Sequence, residues 1–328
     1  MAVKMGMGIA IRKTVAVLWL AFAIGGAAVA RPRVAVVFGG GGAKGAAAVG
    51  ALKVIERSGI PVDMVVGTSI GAIVGGLYSC GYTSAQLDTL FRTQEWLSLL
   101  TDRNERFATR PYVDYNGVTY IFGFPVRDKN DGKFGMMKGE RIEHLLDSMS
   151  GYSRELASFD QLKIPFRCVA TDMKSATEHV LGSGRLSRAL RASMAVPGVF
   201  KPVTMGDMQL VDGGMMNNLP TDVAKRMGAD IIIAIDLQQE KHKDKGFSLK
   251  ETYGIGGLLD WIVSRPDVKK YNQNVRLATI YINPPLANYD VSSFSNKKCE
   301  QMIRIGEREA LKQWGRLMEL REQLLKQP

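Results

Sequence analysis

A chain of 328 residues, 46% apolar and carrying a net charge of +11, is long enough to bury a large core in one or two domains. Its three cysteines exclude a disulfide framework. The positive charge comes without zinc-ligand spacing, a helix-turn-helix signature or an ordered basic-aromatic array, which argues against nucleic acid as a partner.

The first thirty residues have the form of a secretory signal peptide. Lys4, Arg12 and Lys13 precede an apolar run from Val15 to Ile24, and Ala28-Val29-Ala30 fits the small-x-small cleavage rule. The run is short for a membrane span, so an uncleaved anchor is the second reading. Cleavage makes Arg31 the first residue of a periplasmic or secreted chain and lowers the net charge from +11 to +8, because the segment holds three basic residues and no acidic one. On an exported protein, that excess favours contact with a phospholipid membrane surface.

Val34 to Phe38 is a continuous apolar strand. It runs into the glycine-rich stretch Gly39 to Gly45 and an alanine-rich helix that ends at Ser58, before Gly59 and Pro61. Met64 to Val66 is a second buried strand, and Ile70 to Cys80 a helix closed by Gly81. Strand, helix, strand and helix in close succession predict a parallel sheet covered on both faces. From about residue 102 to 135 turn dipeptides and charges replace that rhythm, and the segment reads as an insertion: a surface hairpin or a lipid-contacting lid.

Lys138-Gly139-Glu140 opens a helix through Ser148, and Phe166 to Thr171 is a third strand. Thr204 to Val211 is an edge-like hairpin turning at Gly206-Asp207, ended by Asp212-Gly213-Gly214. Asn217-Asn218-Leu219-Pro220 leads a helix to Met227, and Ile231 to Ile235 is another buried strand. Gln238 to Lys245 reads as a solvated charged loop. Lys297 to Leu325 reads as one long amphipathic helix that packs back on the domain, a partner or membrane contact being the alternative. Cys80 and Cys168 fall in apolar elements and read as buried small hydrophobes.

Between the second strand and its helix stands Gly67-x-Ser69-x-Gly71, the spacing of a nucleophile elbow, which lifts a serine hydroxyl above the sheet at a helix N-terminus. The competing reading is an ordinary turn with Ser69 as an N-cap. A serine nucleophile needs a base and an oxyanion hole. The three histidines are poor bases by position: His144 lies mid-helix, His179 in a polar turn, and His242 among Glu240, Lys241, Lys243 and Asp244. Asp212 is the stronger candidate, since it ends a strand and two glycines follow it, although a turn aspartate capping its own loop has the same pattern. Backbone N–H groups of Gly41 and Gly42 form an anion-binding nest. A P-loop reading fails because Ala43 precedes Lys44 and Gly45-Ala46 follows, leaving no magnesium ligand. A dinucleotide fingerprint matches at Gly40-x-Gly42-x-x-Gly45, but the next strand ends in Gly67-Thr68-Ser69 rather than an acid.

Gly40-Gly41-Gly42-Ala43-Lys44-Gly45, Gly67-Thr68-Ser69-Ile70-Gly71 and Asp212-Gly213-Gly214 resemble the three signature motifs of the patatin-like phospholipase family, in its order and rough spacing. The resemblance takes in Ala192-Ser193 to Pro197 and Asn218-Leu219-Pro220, and spans Arg33 to Leu237. It implies a three-layer α/β/α sandwich with a mostly parallel central sheet, and a Ser-Asp dyad that hydrolyses fatty acyl esters of phospholipids without metal or cofactor. By that similarity Ser69 is the nucleophile, Asp212 the base, and Gly41 and Gly42 the oxyanion donors. Gly40, Lys44, Gly45, Gly67, Gly71, Gly213 and Gly214 complete the motifs, with Lys44 where the family often carries arginine. The leader resembles that of exported bacterial members. The expected organisation is therefore residues 1–30 as signal peptide and 31–328 as one hydrolase domain. Its motif core is 33–237, its insertion about 102–135 and its C-terminal helical part about 297–325. A lipid-binding or scaffold protein that has lost turnover on the same fold is the second expectation, and a nucleotide-binding protein the third.

Overall fold

The computed structural model describes residues 31–103, 110–115, 117–121, 124–128, 137–151, 155–238 and 268–326. The proposed signal peptide, His242 and the charged loop beyond Gln238 lie outside them.

The first half follows the βα rhythm of the sequence. Strand β1 (Val34–Phe38) is buried along its whole length, as a strand covered on both faces must be. Helix α1 (Gly45–Ser58) ends at Gly59, whose φ of 71° is the left-handed C-terminal stop that a glycine adopts without strain. Strand β2 (Met64–Thr68) pairs parallel with β1 and leads into α2 (Ile70–Cys80). Helix α3 (Ser84–Thr93) opens with a capping box between Thr83 and Gln86, and the short α4 (Trp96–Leu100) follows.

The expected insertion contains a separate three-stranded antiparallel sheet: β3 (Tyr112–Val113), β4 (Val118–Ile121) and β5 (Phe124–Asp128). Helix α5 (Glu140–Ser150), strands β6 (Phe166–Asp172) and β7 (Thr177–Leu181), and helix α6 (Leu186–Ser193) come next. The hairpin β8 (Val203–Met205) and β9 (Met208–Asp212) is followed by α7 (Thr221–Arg226), β10 (Ile231–Ile235), α8 (Val268–Arg276) and β11 (Ile280–Ile282). His179 is not in a turn, as its polar surroundings suggest, but inside β7 opposite Ala170, because backbone pairing to β6 overrides the local polarity.

The central sheet has the order β11-β10-β1-β2-β6-β9-β8, with β7 also on β6. Its first five strands are parallel, and the β7, β8 and β9 pairings antiparallel. The period of two along β1 divides the core. Val34, Val36 and Phe38 join a cluster with α1, α2 and α6, whereas Ala35 and Val37 join one with Leu219, Val223, Ala224 and Tyr271 from the α7–α8 side. The expected three-layer sandwich is thereby formed.

The C-terminal amphipathic stretch is two helices rather than one, α9 (Asn296–Leu311) and α10 (Trp314–Lys326). The chain tightens between them, with the N–H of Gln313 donating to the Ala310 carbonyl, and so brings a second buried stripe, Leu317, Leu320 and Leu324, onto the core. Helix α9 crosses α1 at two glycines. A Cβ on Gly50 would meet the Ile303 carbonyl at 1.9 Å, and one on Gly306 the Ala47 carbonyl at 1.9 Å.

Candidate active site

Strand β6 assembles the site. One of its edges is taken by β7. On the other, β2 pairs as far as Thr68 opposite Val169, and β9 arrives from the opposite direction to put Asp212 opposite Ala170. Two strands thus share one edge and meet tip to tip, so the residue following β2 and the last residue of β9 abut. Across that junction the Ser69 hydroxyl donates to Asp212 Oδ2 at 2.6 Å, although 143 residues separate the two in the chain.

Ser69 sits at φ 57° and ψ −127°, a conformation L-residues rarely adopt and that costs on the order of 1–3 kcal/mol. Several contacts hold it there. The Ser69 carbonyl accepts from Ala72 and Ile73 in the first turn of α2. The Ser69 N–H donates to Ser193 Oγ at 2.9 Å, and the Ser193 hydroxyl donates to the Val169 carbonyl at 2.6 Å. One step earlier, Thr68 Oγ1 donates to the Asn217 carbonyl at 2.8 Å. The flanking glycines are sterically required. A Cβ on Gly67 would lie 2.5 Å from the Gly71 carbonyl oxygen, and one on Gly71 would lie 2.4 Å from that of Phe38. Ser69 is buried, 5% exposed, at the N-terminus of α2, where the first N–H groups of the helix point outward without intrahelical partners.

Asp212 is 1% exposed. Burial pushes its carboxyl up to about 6, against the lowering effect of hydrogen bonds from Ser69 and from the Gly214 N–H, which reaches Oδ1 at 2.7 Å. A carboxylate of this kind is more basic than one in water and lies in direct contact with a hydroxyl. It is therefore suited to take a proton from that hydroxyl near neutral pH. Gly213 and Gly214 form the 3₁₀ turn after it, and a Cβ on Gly213 would lie 2.2 Å from the Val169 carbonyl.

The glycine-rich loop borders the serine: an ideal Cβ on Gly40 would be 3.0 Å from Ser69 Cβ. The Gly39 N–H donates to the Ile235 carbonyl, the Gly40 N–H to that of Asn218, and the Ala43 N–H to that of Val291. Between them, the Gly41 and Gly42 N–H groups have no acceptor among the described residues. Two adjacent main-chain donors left open near a serine hydroxyl are the arrangement that an oxyanion hole would need. Gly42 has φ 56°, and Val291 would obstruct any side chain there. Lys44 is buried at the end of the 3₁₀ turn that leads into α1, and Gly45 is the first residue of that helix, pressed against Ile70.

All of the motif residues of the sequence analysis converge here. Of the histidines, His144 in α5 and His179 in β7 make no hydrogen bond to Ser69. Ser193, Asn218 and Gln238 carry site contacts to which no role was assigned from sequence. Ser193 and Asn218 lie in stretches that the resemblance covers, whereas Gln238 lies one residue beyond it. Among the described residues no cluster of three His, Cys, Asp or Glu stands ready for a metal ion.

The family model described as patatin-like phospholipase matches residues 36–225. Patatin-like phospholipase domain-containing protein 6 of Mus musculus is 33% identical over 213 residues, which cover 64% of this chain and 14% of that protein. Lysophospholipase NTE1 of Meyerozyma guilliermondii is 27% identical over 293 residues, 83% of this chain and 18% of that protein. The chain thus spans less than a fifth of the length of these relatives. Among solved structures, VipD from Legionella pneumophila is similar in fold, with a TM-score of 0.50 and 14% identity, over 89% of this chain and 67% of that one.

Proposed function

The chain belongs to the patatin-like phospholipase family, and from that premise we propose that it is a serine acyl hydrolase acting on fatty acyl esters of phospholipids. The observation that carries the reading is the buried 2.6 Å hydrogen bond between Ser69 and Asp212 beside two open main-chain donors. In this reading Ser69 Oγ attacks the acyl carbonyl carbon as Asp212 takes its proton. The carbonyl oxygen becomes an oxyanion held by the Gly41 and Gly42 N–H groups. Collapse of this intermediate breaks the ester C–O bond, and Asp212 returns the proton to the departing alcohol. Water then attacks the acyl-serine with Asp212 again as base, releasing the fatty acid and restoring the hydroxyl.

The substrate is a surface-borne lipid, and we place the protein at a membrane surface as a peripheral visitor. Exposed Tyr112, Val113, Tyr115 and Ile121 on the small sheet, together with the positive net charge, support that placement. Export through residues 1–30 belongs to the same reading, and N-terminal sequencing of the mature protein tests it by its expected start at Arg31.

Ser69→Ala tests the chemistry. It is expected to abolish release of fatty acid from phospholipid vesicles and labelling by a fluorophosphonate, while the far-ultraviolet circular dichroism is unchanged. Undiminished turnover in Ser69→Ala refutes the nucleophile. Absence of labelling in the wild-type chain refutes the enzyme and favours a lipid-binding role.

A further inference from the structure

Gly40 is held more tightly than its turn requires. Its N–H donates to the main-chain carbonyl of Asn218 at 3.1 Å. Its carbonyl accepts twice, from Asn218 Nδ2 at 3.1 Å and from Gln238 Nε2 at 3.2 Å. Two buried amide side chains, 1% and 8% exposed, therefore direct donors at a single glycine oxygen.

The next atom pair in the chain gives this convergence its consequence. The Gly40–Gly41 peptide is planar and trans, so the Gly40 C=O and the Gly41 N–H point in opposite directions. Whatever fixes the carbonyl fixes the N–H. We propose that Asn218 and Gln238 are positioning residues that lock this peptide plane and keep the Gly41 N–H aimed at the acyl oxyanion. The inference rests on the reading of Gly41 as an oxyanion donor. It deepens that reading by assigning the residues that orient the donor.

Three further observations fit. Among the described residues Asn218 Oδ1 is buried without a hydrogen-bond partner, and the contact that orients the amide there is its donation to Gly40. That oxygen lies 2.5 Å from where a Cβ on Gly40 would be and 2.6 Å from where one on Gly214 would be. The glycines of two separate motifs thus make room for the same amide. Both amides also stand on supported backbone. The Gln238 N–H donates to Asp236 Oδ1 at 3.0 Å, and its carbonyl accepts from Asn283 Nδ2 at 2.7 Å. The neighbouring Asn217 is anchored by its N–H on the Gly213 carbonyl and by Thr68 Oγ1 on its own carbonyl. The Asn217-Asn218 pair therefore links the serine elbow, the aspartate turn and the oxyanion loop, and two donors on one carbonyl also polarise the peptide, sharpening its N–H as a donor.

The test compares the full chain with Gln238→Met, which keeps the side-chain length and removes the donor, Asn218→Ala, and the double variant. Turnover is measured on a soluble ester and on its thionoester, whose intermediate places sulfur, a poor hydrogen-bond acceptor, in the oxyanion position. Each single variant is expected to lower kcat on the ester about tenfold, and the pair about a hundredfold, the lower end of what outright loss of one oxyanion donor costs. KM is expected to stay within about twofold. The decisive readout is the ester-to-thionoester ratio of kcat/KM, which falls in the variants because the oxygen substrate alone loses its hydrogen bond. A drop in kcat with that ratio unchanged means general loosening of the site and overturns the proposal, as does unchanged kcat. Should Asn218→Ala fail to fold, Gln238→Met decides by itself. Failure of the underlying oxyanion reading has a different signature: the wild-type chain itself turns over ester and thionoester about equally well.

Discussion

Asp212→Asn offers a test in which stability and activity move in opposite directions. The carboxyl rises from an ordinary 3.8 to about 6 because it is buried. At about 1.4 kcal/mol per pKa unit, holding it ionised in the fold costs about 3 kcal/mol. With the folded value above the unfolded one, the native state binds more protons between about pH 4 and pH 6. Stability is therefore highest below that window and is lost as the pH rises through it. Asparagine removes the charge and keeps the shape. Its Oδ1 still accepts from the Gly214 N–H, and its Nδ2 faces Ser69 Oγ as a donor. Urea unfolding followed by tryptophan fluorescence is expected to find Asp212→Asn more stable than wild type by about 2–3 kcal/mol at pH 8. The two should become equal near pH 4, where both are neutral, while ester hydrolysis is lost throughout. A variant less stable than wild type at pH 8, or a gap that does not change between pH 4 and pH 8, refutes the reasoning.

Three further outcomes follow from the same geometry. The kcat/KM for a soluble ester is expected to rise with pH along a limb centred near 6 and then level off, since the base works only when ionised; a limb centred near 4 contradicts a buried aspartate base. Ser193→Ala removes the acceptor of the Ser69 N–H and should slow fluorophosphonate labelling about tenfold through misplacement of the nucleophile, with Ser193→Thr restoring most of the rate. Equal loss in both variants rules out the hydroxyl as the cause. Gly306→Ala forces a Cβ against the Ala47 carbonyl and is expected to destabilise by about 1–3 kcal/mol, read as a lower urea midpoint, with specific activity of the folded fraction unchanged.

Much of this protein is written locally in its sequence. The apolar run of β1, the helix stop at Gly59 and the Gly67-x-Ser69-x-Gly71 turn each depend on neighbours a few residues away, and each is legible as periodicity or as the absence of a Cβ. Asp212 was visible as a carboxylate at a strand end with glycines behind it. Tertiary structure alone decided that the tips of β2 and β9 share one edge of β6, since strand register carries no signature in a run such as Phe166 to Asp172. It also decided that α9 and α10 are separate, because the buried stripes of both helices, Met302 and Ile303 in one and Leu317, Leu320 and Leu324 in the other, pack on a core assembled from distant segments. The amides of Asn218 and Gln238 were illegible for the same reason. A polar side chain takes its meaning from the atom it meets, and here that atom lies 178 and 198 residues away. Sequence specifies which backbone shapes are sterically allowed and which faces avoid water. Which of those faces and tips come together is set by the packing of the whole sheet.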